Sequence, residues 1–145
     1  MSQTPLQVLK RAQFYTDGLD YLLLSLPKNR LTTAAGIFAE IGQPFGGLIF
    51  DKDEVTFILS TEDFQEYNQR LQGATASRLT YRLITIDIVL EDTLVGFMAL
   101  ITKALAESGI SVIPMGAFSR DHLLVPTADS EKALQALEKL HKMAQ

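Results

Sequence analysis

Hydrophobic and polar positions alternate between two periods along this chain, and the changes of period predict its elements. Pro5 to Phe14 has Leu6, Leu9 and Ala12 or Gln13 near one face, with Pro5 in the first turn, which predicts a short lead helix ended by Asp17-Gly18. Tyr21 to Leu26 is a dense apolar run stopped by Pro27, the pattern of a buried strand. Thr32 to Ile41 predicts a helix closed by Gly42. Phe45 to Phe50 and Glu54 to Leu59 predict two strands joined by a turn at Asp51-Lys52-Asp53. Ser60 to Asp63 has a hydroxyl cap and first-turn acids, so a helix should run from there to about Leu71. After a polar stretch at 73–77, Tyr81 to Leu90 predicts a central strand, rich in β-branched residues. Asp92 is the expected cap of the next helix, with Leu94, Met98, Ile101 and Leu105 on its apolar stripe and Gly109 at its end. Ile110 to Phe118 and His122 to Val125 predict a second hairpin about Ser119-Arg120-Asp121. Asp129 then caps a last helix with Ala133, Leu134, Leu137 and Leu140 inward and His141 and Lys142 in its last turn.

The second half of this order repeats the first. At an offset of about 66 residues, Val55 to Leu59 overlays Asp121 to Val125, Thr61 overlays Thr127, Asp63 overlays Asp129 and Leu71 overlays Leu137. The strand Tyr21 to Leu26 overlays only the latter part of the run ending at Leu90. Two units of strand, helix, hairpin and helix emerge, the split βαβ or ferredoxin-like order. On that reading Tyr81 to Leu90 closes the first unit and opens the second. The fold class expected is α+β, two ferredoxin-like βαββαβ units side by side, with antiparallel sheets and helices on one face. The expected division is a lead helix over 1–17, a divergent first unit over 18–77 and a second unit over 78–145.

Composition narrows the function. The 145 residues are 47% hydrophobic, enough for a core without covalent staples, and they include no cysteine. Disulfides, zinc–thiolate sites and a cysteine nucleophile are thereby excluded. A formal net charge of -4 with no Lys/Arg cluster argues against nucleic acid, whose affinity comes largely from phosphate neutralisation. The longest apolar stretch, Leu94 to Leu105, is interrupted by Thr102 and Lys103, so no membrane role is expected. Met1 to Pro5 lacks the basic and apolar regions of a secretory leader, which makes the expected location cytoplasmic.

Catalytic and metal chemistry find little support. Of the two histidines, His141 reads as a solvated helix-end residue, and His122 has no nucleophile motif beside it. Asp51, Asp53 and Glu54 lack the remainder of a calcium loop and read as a hydrated turn, so neither metal nor cofactor is expected. Gly46-Gly47 is not a phosphate loop, because no Lys-Ser/Thr follows it. Two segments remain as candidates. Glu91 to Phe97 joins a strand to a helix, where free amide N–H groups can hold an anion and Gly96 permits close approach or tight packing. Met115 to His122 brings Gly116, Phe118 and Asp121 around a turn, where Asp121 serves a cationic ligand group or simply the turn.

At these segments the chain resembles a known family. Tyr81 to Val89, Leu94-Val95-Gly96-Phe97, Leu105 to Ser111 and Phe118 to Val125 look like an ACT domain, with Leu105-Ala106-Glu107-Ser108-Gly109-Ile110-Ser111 and Asp121-His122-Leu123-Leu124-Val125 the most specific steps. The chain is similar to small bacterial proteins with two ACT domains and to the ACT modules of the cytosolic arginine sensors of animals. The resemblance covers about residues 80–140; residues 18–72 share only the pattern.

The resemblance implies two βαββαβ units, no catalysis, and binding of a free amino acid where a strand–helix loop faces a neighbouring strand. Carried onto this sequence, the ligand-binding residues are Asp92, Leu94, Val95, Gly96 and Phe97 in the loop and Gly116, Ala117, Phe118, Asp121 and His122 in the hairpin. Amides beside Gly96 would hold the ligand carboxylate, and Asp121 would lie near its side chain. Arg120 departs from the apolar or aromatic residue usual there and sets a cation nearby, which puts arginine itself in doubt as the ligand. The first unit's loop, Lys28 to Thr33, has no glycine at the matching place, so the working site is expected in the second unit. The function expected is that of an amino-acid-binding regulatory protein, a homodimer acting through an effector protein. The alternative is a ligand-independent interaction module; an enzyme would have to work through His122.

Overall fold

The computed structural model describes residues 3–42 and 45–145. In chain order the elements are α1 (Pro5–Arg11), β1 (Phe14–Tyr15), β2 (Asp20–Leu26), α2 (Leu31–Ile41), β3 (Gly47–Phe50), β4 (Val55–Ser60), α3 (Thr61–Glu66), β5 (Thr75–Ala76), β6 (Tyr81–Ile86), α4 (Phe97–Glu107), β7 (Ile113–Gly116), β8 (Asp121–Pro126) and α5 (Ser130–Met143). Short 3₁₀ turns at Lys28–Arg30, Asn68–Leu71 and Thr127–Asp129 complete them. The contacts define two compact units. Leu19–Tyr81 forms an inserted unit, and Met1–Gly18 with Arg82–Gln145 forms a split unit. The lead segment therefore groups with the second half of the chain, and the division in the middle falls at Tyr81/Arg82, a few residues beyond the polar stretch at 73–77.

Each unit completes its own strand order. In the inserted unit β3, β4 and β2 are neighbours, and β5 pairs antiparallel with β2 through Leu24–Ala76 and Ser25–Thr75. In the split unit β7, β8 and β6 are neighbours, and β1 pairs antiparallel with β6 through Phe14–Ile86 and Tyr15–Thr85. The fourth strand of the inserted unit thus follows its second helix, whereas that of the split unit comes from the start of the chain. With their helices, both are ferredoxin-like α+β units.

The duplication is closer than the sequence alone indicates. Helices α2 and α4 begin 66 positions apart, at Leu31 and Phe97, and so do β3 and β7, at Gly47 and Ile113, and β4 and β8, at Val55 and Asp121. Even the hairpin turns match: the Asp51 N–H donates to the Glu54 carbonyl at 3.1 Å, and the Ala117 N–H donates to the Arg120 carbonyl at 2.9 Å. Two places break the offset: Leu26 and Ile86 end β2 and β6 only 60 positions apart, and α3 and α5 begin 69 apart, at Thr61 and Ser130. The strand–helix connection is 87–96 in the split unit against 27–30 in the inserted unit, an insertion of six residues.

Each unit has its own core. In the split unit, alternate strand residues Ile84 and Ile86 of β6 and Leu123 and Val125 of β8 point to the helix face and meet Ile101 and Leu105 of α4 and Ala133 and Leu137 of α5. Val8, Leu9 and Ala12 of the lead segment join the same cluster. The lead helix starts on a capping box: Thr4 Oγ1 accepts from the Gln7 N–H at 3.2 Å, and Gln7 Oε1 accepts from the Thr4 N–H at 2.9 Å. Its buried face is Val8, Leu9 and Ala12, and Leu6 is exposed, unlike the face expected from the pattern. In the inserted unit Leu24, Leu26, Phe57 and Leu59 of the sheet pack on Ala34 and Ile37 of α2 and on Leu71.

Several expected boundaries move, each for a local reason. β6 stops at Ile86 rather than Leu90, and α4 starts at Phe97 rather than after Asp92. Gly96, at φ 86°, holds a left-handed conformation that interrupts the helix, so neither Asp92 nor Leu94 belongs to it. Asp129 makes no capping side-chain bond and instead ends a 3₁₀ turn. The helix from Thr61 changes to 3₁₀ after Tyr67. His141 is more than a solvated helix end: its Nε2 lies 3.2 Å from the Lys10 carbonyl oxygen, and its ring meets Phe14 edge-on at 6.4 Å.

Because Leu9 and Leu137 are fully buried in one core, Leu9→Ala should cost about 2–5 kcal/mol, in the same range as Leu137→Ala. Urea denaturation followed by circular dichroism checks this; a Leu9→Ala loss near zero would show that the lead helix is not part of that core.

Candidate ligand cleft

The six extra residues of the split unit's loop build a cleft. The loop is tied at two points, the Asp87 N–H donating to the Gln13 carbonyl at 2.7 Å and the Leu90 N–H to the Ser119 carbonyl at 2.7 Å, and within it the Leu94 N–H closes a turn on the Glu91 carbonyl at 3.1 Å. Between this loop and the β7–β8 turn lies a cavity of about 220 Å³, lined by Leu90, Glu91, Asp92, Leu94, Ala117, Phe118, Ser119 and Asp121. Pockets for drug-sized molecules start near ~300 Å³, so this one suits a smaller metabolite.

Three acidic residues line this space: Asp121, half-buried, and Glu91 and Asp92, both exposed. Burial pushes the Asp121 carboxyl above the ordinary 3.8, and the neighbouring His122 pulls it down in part. A desolvated carboxylate of this kind gains from a cation or a donor placed beside it. Arg120 does not supply that cation. Its Nε donates to Asp87 Oδ1 at 2.8 Å, and its Nη1 donates to Ser119 Oγ at 3.2 Å, and it is not among the cleft-lining residues. Phe118 stands fully exposed at the rim, where an apolar face is left to cover a ligand.

The loop and turn residues separate into groups. Asp92, Leu94, Ala117, Phe118 and Asp121 come together in the cleft. Gly116 pairs with Asp121 across the ladder, and a Cβ built on it would stand 3.6 Å from Asp121 Oδ1, so its position faces the same side. Val95 is exposed, and Phe97 is buried in the hydrophobic core. Gly96 borders a different, shallower hollow with Thr4, Pro5 and Leu6. A Cβ on Gly96 would meet Pro5 Cγ only at 3.8 Å, so its positive φ, not tight packing, is what calls for glycine.

His122 points away from Asp121, because successive strand residues face opposite sides. Its Nδ1 lies 2.8 Å from the buried Thr85 Oγ1, with the donor set by the ring tautomer. Burial pushes its pKa below 6.5, Asp121 partly restores it, and Arg120 lowers it again. Glu91 and Ser119 lie within the two candidate segments but outside the ligand-binding set carried over from the resemblance, and Leu90 lies outside both. Their signal was the loop length itself, visible in the sequence as the failure of the first strands to keep the offset of 66.

The hairpin turn of the inserted unit has no such cleft chemistry. Asp51 Oδ1 accepts from the Asp53 N–H at 2.8 Å and the Glu54 N–H at 3.0 Å, which holds its carboxyl below the ordinary value. The carboxylate thus serves its own turn. No group of His, Asp or Glu suited to a metal ion occurs among the described residues.

The sequence profile of the ACT domain family matches residues 77–139. A Vibrio cholerae protein of unknown function has a similar structure over 94% of both chains, with a TM-score of 0.70 and 24% identity. The aspartokinase alpha and beta subunits match at a TM-score of 0.71 and 15% identity, over 89% of this chain and 97% of that one. The ligand-free regulatory subunit of aspartate kinase from Thermus thermophilus matches at 0.65 and 18%, over 88% and 97%. At such identities the likeness is one of fold. Among curated proteins none matches in sequence. No helix among the described residues is long and apolar enough to cross a membrane.

The raised carboxyl gives a signed prediction. A folded pKa above 3.8 means that folding favours protonated Asp121, so stability is lost as pH rises from about 4 through the folded value. Asp121→Asn should therefore melt slightly higher than wild type at neutral pH and equally near pH 3. Paired thermal melts across this range check it; a variant less stable at neutral pH would show that the ionised carboxylate is already satisfied.

Proposed function

Residues 77–139 are an ACT domain, and on that footing we propose that this protein is a regulatory ligand-binding protein whose split unit takes a free amino acid. It catalyses no reaction of its own. The observation that carries the reading is the cleft of about 220 Å³ lined by Glu91, Asp92 and the half-buried Asp121, with an exposed Phe118. An α-ammonium group matches those carboxylates by charge and hydrogen bonding. Leu90, Leu94 and Phe118 offer apolar surface to a side chain. The Thermus thermophilus neighbour supports the reading, since that chain is a regulatory subunit of aspartate kinase.

No nucleophile–base–orienter set accompanies the cleft. His122, the one histidine near it, is turned to Thr85 and serves the sheet. With a formal charge of -4, nucleic acid is a poor partner. The signal passes to an effector protein, and the chain works in the cytoplasm as a homodimer.

A second reading, a ligand-independent interaction module, draws on β3. This edge strand leaves Ile49 and Phe50 about half exposed, whereas the edge strand β7 carries Pro114. Proline blunts a sheet edge by removing a donor, and β3 has no such guard. An edge of that kind can pair with a second copy.

A thermal-shift screen against the twenty proteinogenic amino acids separates the two. A ligand bound only by the folded state adds about 2.7 kcal/mol of stability at a hundredfold excess over Kd. One or two amino acids should raise Tm, and Asp121→Ala should abolish the response. No shift at millimolar concentration, together with concentration-dependent assembly, would replace the ligand reading by the interaction reading.

A further inference from the structure

The duplicated frame allows the cleft to be compared with its counterpart in the inserted unit, position by position. Phe50 ends β3 as Gly116 ends β7, and Val55 opens β4 as Asp121 opens β8. The ladder pairs correspond too: Phe50 with Val55, and Gly116 with Asp121. Lys28 stands three residues before α2, and Leu94 three residues before α4. Yet the chemistry is opposite. The split unit has a carboxylate beside a residue without a side chain. The inserted unit has a fully buried valine beside a phenylalanine, with Lys28 Nζ 5.5 Å from the centre of that ring. Where Gly116 leaves the ladder without a side chain, the inserted unit carries the Phe50 ring, half exposed, with Lys28 Nζ over it.

The short loop 27–30 fixes this arrangement. Arg30 holds the position of Gly96, with φ -98° in place of 86°. Its guanidinium donates to the Gln72 carbonyl at 2.9 Å and the Arg70 carbonyl at 2.7 Å. Lys28 is therefore presented by a connection that is tied down two residues later.

We propose that the inserted unit's counterpart of the cleft is closed by its own side chains, Phe50 covered by Lys28, so that each chain takes one ligand, in the split unit. The count rests on the cleft being the ligand site; the closure does not. Gly116 is outside the positive-φ set, so its backbone accepts a side chain. The closure can therefore be moved into the split unit by Gly116→Phe with Leu94→Lys.

Two measurements decide the proposal. After reductive methylation with ¹³C-formaldehyde, the Lys28 methyl resonance, assigned with Lys28→Arg, should lie upfield through the Phe50 ring current. It should return to the position of the exposed lysines in Phe50→Leu. Coincidence with those lysines in the wild type overturns the closure without any ligand. Titration of the ¹⁵N-labelled chain with each of the twenty amino acids gives the count. Saturable amide shifts should fall at 90–94 and 117–121, stay absent from 28–31 and 50–55, and vanish in Gly116→Phe/Leu94→Lys while its spectrum remains dispersed. Saturable shifts at 28–31 and 50–55 in the wild type overturn the single site. No saturable shift anywhere overturns the ligand reading and its count together, and the Lys28 resonance still decides the closure.

Discussion

The arrangement of the split unit depends on the return of the chain's first residues to its second half. Val8, Leu9 and Ala12 fill the same core as Ile101, Leu105, Ala133 and Leu137, and β1 pairs with β6. The carbonyl of Gln13, between these two contributions, receives the Asp87 N–H at the point where β6 ends. The loop 87–96 therefore leaves the sheet from a fixed place. Its second tether, Leu90 to Ser119, fixes its distance from the β7–β8 turn. The cleft exists because both of its walls are held by backbone bonds, and one of them is anchored by Gln13, about half the chain away in sequence.

Duplication and divergence then share the work. The starts of α2 and α4, the edge strands and the hairpin turns keep one offset in both units, so the frame is common. The differences that bear on the cleft are a six-residue insertion and three side chains: Asp121 for Val55, Gly116 for Phe50, Leu94 for Lys28. These substitutions trade apolar burial for a hollow with charge in it. An ionised carboxylate in a partly desolvated place costs stability unless a partner arrives, and binding of a cation offsets that cost. A small ligand could thus tighten the split unit without any large movement.

Much of the fold was legible in the sequence because its signals are local. The short apolar runs of Val55 to Leu59 and Leu123 to Val125 and the left-handed stop at Gly42 act within a few residues. The fate of the lead helix was not legible, since nothing in Val8 or Leu9 says which core they enter. The start of α4 was misplaced for a related reason: Asp92 has the chemistry of a cap, but the left-handed Gly96 decides where helix geometry begins. Of the site, Asp92, Leu94, Ala117, Phe118 and Asp121 were marked by the family resemblance and do meet in one cleft. Gly96 and His122 carry the same resemblance, yet they face other surroundings, because a left-handed turn and the two-residue period of a strand turn neighbours in sequence away from one another.

The central claim is that the cleft beside Asp121 holds the ammonium group of a free amino acid. A crystal structure from crystals grown with the proteinogenic amino acids at millimolar concentration tests it most directly. The account predicts density for one amino acid between Leu94 and Phe118, with its nitrogen within hydrogen-bonding distance of the Asp121 carboxylate. An empty cleft, or an amino acid seated elsewhere on the chain, would contradict it.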